Sequence, residues 1–109
     1  MERRFGVRAR TDFRVIAHDG LLAMHCRGIE VSPMGIVVDG GRRVARRDAL
    51  FVQLEMSLPE RYRTIRAIAR PIWQSGSQQA FKFIRIADVD RLTLEEHLDL
   101  LKLRGAALC

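Results

Sequence analysis

Two short clusters carry the residue types that could hold an anionic, hydrogen-bonding ligand. Arg4 and Arg8 lie four apart in Arg4-Phe5-Gly6-Val7-Arg8, with Arg3 beside them. A guanidinium offers a planar fork of donors for phosphate oxygens or a guanine edge, and a flat face for stacking. The second cluster is Glu30-Val31-Ser32-Pro33-Met34-Gly35. In a strand, residues two apart share a face. Glu30 and Ser32 are therefore expected to project together, with Ile29 and Val31 pointing inwards. A carboxylate beside a hydroxyl forms a small acceptor–donor site, able to read the N1–H and N2–H₂ donors of guanine. Gly35 lets the backbone approach a neighbour closely or take a positive φ. Each residue taken singly has a plainer use. Glu30 serves as a solvated strand residue, Ser32 as a turn cap, Gly35 as a bulge position and the arginines as a basic tail.

The elements that must position these residues are mostly strands. Residues 1–10 lack apolar periodicity and are rich in arginine, which reads as a flexible arm ahead of a domain over 11–109. Phe13, Val15 and Ala17 alternate with Arg14, Ile16 and His18, and Asp19-Gly20 is a hairpin signal. Leu21 to Val31 reads as a strand, interrupted by a bulge or tight turn at Ser32-Pro33-Met34-Gly35. Ile36-Val37-Val38 resumes it. Leu50, Val52, Leu54 and Met56 give four apolar residues at period two. Tyr62 through Trp73 and Phe81 through Ile86 read as two further strands, separated by Gln74-Ser75-Gly76-Ser77. Thr93-Leu94-Glu95-Glu96 then reads as a capping box, with Leu94, Leu98 and Leu101 at helical spacing and Gly105 as a stop. The expected architecture is mainly β: a small antiparallel, Greek-key-like barrel with one C-terminal helix over about 90–104.

Composition narrows the function. A chain of 109 residues makes one domain with one core. No apolar run approaches the roughly 20 residues of a membrane helix, and no apolar stretch follows Met1-Glu2-Arg3-Arg4, so cytoplasm is the expected location without membrane insertion. Cys26 and Cys109 are read as free thiols, and His18, His25 and His97 share no ligand spacing with them, so no metal is expected. The net charge of +6 is concentrated in Arg3, Arg4, Arg8, Arg10 and Arg14 and in Arg42, Arg43, Arg46 and Arg47. Such density attracts anions of any kind. There is no phosphate-binding G-x-x-x-x-G-K-[S/T] loop, no G-x-S-x-G elbow and no His–Glu metal motif, so the chain is not read as an enzyme.

The R-x-x-x-R segment followed by E-x-S-x-x-G, in that order on a β-rich chain of this length, resembles the PilZ domain. Members of that family bind the second messenger cyclic dimeric GMP. The Ala80 to Ile86 strand and the acidic helix start between Asp88 and Glu96 are similar to the family's usual ending. The resemblance implies cyclic dimeric GMP as ligand and no other cofactor. Arg4 and Arg8 would wrap the ligand, Arg3 would reach a second stacked ligand molecule, and Glu30, Ser32 and Gly35 would form the barrel side. It also implies a protein partner of unknown identity, docked when the ligand orders the arm. This sequence departs from the family at position 30, where Glu replaces Asp or Asn. A second reading is therefore a divergent PilZ domain that binds no nucleotide and serves as a protein-interaction module. A β-barrel nucleic-acid binder ranks third, because such barrels stack bases on aromatics and only 6% of residues are aromatic.

Overall fold

The computed structural model describes residues 8–59 and 64–105, together with the backbone of 107–108. Arg3, Arg4, Tyr62 and Cys109, and the arm over 1–7, lie outside the described residues. The elements are β1 (Arg8–Asp19), β2 (Leu22–Ser32), β3 (Gly35–Asp39), β4 (Val52–Ser57), β5 (Ile65–Ser75), β6 (Gln78–Ile86), α1 (Asp88–Leu103) and β7 (Ala107–Leu108). Arg8 to Arg10 are thus strand, where the sequence reading placed the end of the arm. Their backbone pairs with both β2 and the short β7.

All strand pairs are antiparallel, in the order β2-β3-β6-β5-β4-β1, and β1 returns to pair with β2. The sheet therefore closes into a six-stranded barrel, leaving none of these six with an unpaired edge. Alternation fills the interior: Val15, Ala17, Val38, Val52, Leu54, Met56 and Ala69 are completely buried. Leu50, expected to share the β4 pattern, lies before the strand and is exposed. The β1–β2 hairpin turns through Gly20 and Leu21, with Asp19 paired to Leu22. Gly20 alone takes a positive φ, +63°, the pattern of a II′ turn, whose twist matches the flanking strands.

Helix α1 closes the barrel through Leu94, Leu98 and Leu101, all buried as the spacing required. Its start differs from the sequence reading. Thr93 is not a cap but lies inside the helix, its hydroxyl donating to the Val89 carbonyl one turn back at 3.0 Å. The chain leaves β6 directly into helix, with Asp88 and Asp90 placing negative charge on the first turn, where the helix dipole favours it. Those acids, rather than the Thr-x-x-Glu pattern, mark the beginning. Buried His97 sits against Phe13 of β1 and shares a 3.1 Å hydrogen bond with Thr11 Oγ1.

Candidate functional site

The second cluster is built by the β2–β3 hairpin. Pro33 and Met34 form its two-residue turn, and Ser32 pairs with Gly35. Ser32 Oγ accepts the Met34 N–H at 3.2 Å, and its own hydrogen points to the Gly35 carbonyl at 3.5 Å. The serine is buried and caps its turn, so it is not the freely projecting hydroxyl expected from strand parity. Its long contact to Gly35 is the weak one, below the strength of a good O–H···O bond.

Gly35 is required by strand packing. A Cβ there would lie 2.3 Å from the Phe81 carbonyl oxygen of β6, and its φ is not positive. The close approach is to another strand, beside the Phe83 N–H that bonds the Met34 carbonyl at 2.8 Å. Ile29, expected inside, is only half-buried. A bulge between Gly28 and Glu30 inserts it as an extra residue, so the buried positions pass from Cys26 and Gly28 to Val31.

Glu30 faces Arg8. Arg8 Nη1 donates to Glu30 Oε1 at 2.9 Å, with the two side chains 45% and 29% exposed. The arginine is thereby held over the strand that bears the rest of the cluster. Residues 8, 30, 32 and 35 all border one groove of about 530 Å³, a size typical of small-molecule sites.

The far side of that groove was not foreseen. Glu30 pairs with Val37, Val37 with Ala80 and Ala80 with Trp73, so one row of the sheet runs from Glu30 to Trp73 across four strands. Three strand spacings separate its ends by about 14 Å. Directly paired residues share a face. Ala80, small and covered, is the floor, while Trp73 (46% exposed) and Ile72 form an apolar wall. Lys82, opposite Gly35, adds a second cation at the rim. The groove thus offers an aromatic face at one end, a guanidinium and a carboxylate at the other, and an ammonium at the rim opposite Gly35. The available signal was the break in alternation after Pro71, where a bulge turns Ile72 and Trp73 out.

A six-stranded antiparallel barrel capped by a C-terminal helix, with a mixed apolar and basic groove on its outer face, defines the class of the protein. No family model and no curated protein matches the sequence. Among solved structures, the Bacillus subtilis inhibitor of motility, MotI/DgrA, is similar, with a TM-score of 0.76 and 20% sequence identity. The likeness covers 95% of this chain and 53% of that one, so the chain spans about half of that protein's length. At this identity the likeness establishes the fold.

Proposed function

We propose that the chain is a PilZ-type regulatory module that binds cyclic dimeric GMP in the Arg8–Trp73 groove. One observation carries this reading: Arg8, Glu30, Ser32 and Gly35, up to 27 positions apart in sequence, border the same groove. The chemistry fits a ligand with two phosphates and two guanines. Arg8 and Lys82 supply cations for phosphate, the Glu30 carboxylate accepts from a guanine edge, and Trp73 offers a face for a base. Arg4 closes over the ligand and Arg3 extends to a second stacked molecule. Ligand capture orders these residues and changes the surface offered to a partner protein. A regulatory role accords with the name of the structural neighbour, an inhibitor of motility.

The second reading, a domain that binds no nucleotide, draws on the same contacts: Glu30 already occupies Arg8, and Ser32 is occupied in its turn. Isothermal titration of the purified protein decides between them, with GTP and a short single-stranded oligonucleotide as controls. Saturable micromolar binding of cyclic dimeric GMP alone is expected. Absence of binding at about 100 μM ligand, equivalent to less than roughly 5–6 kcal/mol, favours the second reading. Binding that survives loss of both Arg4 and Arg8 defeats the site assignment.

A further inference from the structure

The opposite end of the barrel carries a second feature, independent of the groove. Leu21 is fully exposed at the β1–β2 hairpin tip, and Leu22, Leu50 and Phe51 are each at least 60% exposed. The last β1–β4 pair is His18 with Gln53, so Leu50 and Phe51, just ahead of β4, leave the sheet at the same end as the β1–β2 hairpin. The loop that bears Leu50 and Phe51 is held rather than loose. Arg46 grips Asp19 at the base of the hairpin through Nε and Nη2, at 3.1 and 3.0 Å, and its N–H reaches the same carboxylate at 2.9 Å. Buried Gln79 accepts the N–H groups of Val44 and Ala45 and donates to the Ala45 carbonyl.

The same loop carries Arg42, Arg43 and Arg47, all exposed. Among the described residues none of the three is paired with a carboxylate, and Asp48 is the one acid within loop 42–51, leaving it net positive after Arg46 is matched by Asp19.

We propose that this end of the barrel docks on an anionic lipid surface, with Leu21, Leu22, Leu50 and Phe51 entering the headgroup region and the three arginines meeting lipid phosphates. Apolar side chains fixed in water beside unpaired guanidiniums match the two demands of such an interface, apolar burial and negative charge. The docking is peripheral, because no helix of the described residues is long and apolar enough to cross a membrane. The Ser32–Gly35 turn lies at the other end of β2 and β3, and none of these tip or loop residues borders the ligand groove.

Flotation of the purified chain with vesicles of phosphatidylcholine, or of phosphatidylcholine containing phosphatidylglycerol, tests the proposal. Binding is expected to the anionic vesicles only, weakening as salt is raised. Each arginine near the surface contributes roughly fivefold, so Arg42→Ala, Arg43→Ala and Arg47→Ala together lower partitioning about 100-fold. Leu21→Asp with Phe51→Asp abolishes it. These positions are exposed, and an unchanged melting temperature verifies folding; should the aspartate variant melt early, the arginine variant alone decides. Equal binding to neutral vesicles, or no binding to either, overturns the proposal. Self-association in the absence of lipid that Leu21→Asp removes also overturns it, by showing that a second copy covers the tip.

Discussion

Shortening Glu30 by one methylene tests how the groove is tuned. Glu30→Asp withdraws the carboxylate by about 1.5 Å, which opens the 2.9 Å contact with Arg8 beyond hydrogen-bond range. Both side chains are substantially exposed, and exposed pairs contribute only about 0.2–1 kcal/mol. Freeing Arg8 therefore gains at most about fivefold in ligand affinity. Removing Arg8 deletes a charge-assisted bond of roughly 1.5–3 kcal/mol, or about 12- to 150-fold. The arginine term outweighs the competition, so Glu30 tunes the site rather than closing it. Titration of cyclic dimeric GMP into wild type, Glu30→Asp, Arg8→Ala and the double variant measures both. Wild-type binding should be retained or tightened by Glu30→Asp and nearly lost in Arg8→Ala. The gain from Glu30→Asp should vanish once Arg8 is absent, because it acts through that residue. A loss of about tenfold or more in Glu30→Asp would refute the competition argument. The reach of the longer carboxylate to the guanine edge would then matter more than its competition for Arg8.

Gly35→Ala should destabilise the fold before it affects any ligand, because the new methyl meets the Phe81 carbonyl at 2.3 Å and the backbone of β6 cannot move aside cheaply. Overpacking of this kind costs about 1–3 kcal/mol, a fall of roughly 4–24 °C in melting temperature for a domain of this size. An unchanged circular-dichroism melt with lost binding would return Gly35 to the ligand. Acid should loosen the far end of the barrel. Hydrogen bonds from Arg46 hold the Asp19 carboxyl below its usual range. The stabilisation is therefore present above the unfolded value of about 3.9 and is lost as pH falls through the lower folded value. Amide exchange in residues 44–49 should rise in that window, and Asp19→Asn should remove the pH dependence.

Local pattern determined much of this protein. Period-two alternation located the strands, and the spacing of Leu94, Leu98 and Leu101 located the helix, because both periodicities are set by a residue's own neighbours in the chain. The Asp19-Gly20 turn and the tight turn at Ser32 to Gly35 were legible for the same reason. The two clusters were also visible as residue types at fixed spacing, although what Ser32 and Gly35 do was not. Ser32 caps its own turn, and Gly35 answers to Phe81, a residue 46 positions later whose proximity depends on β3 pairing with β6. Tertiary structure alone decided where bulges fall. The one at Ile29 and the one after Pro71 each reverse which side chains face out; the second leaves a break in alternation after Pro71, but the register that fixes either bulge is set by the partner strand. It also carried Trp73 across four strands to Glu30, so an aromatic far from every basic cluster in sequence stands opposite Arg8 in space. Strand order across a closed barrel is a property of long-range register, and that register composed the groove.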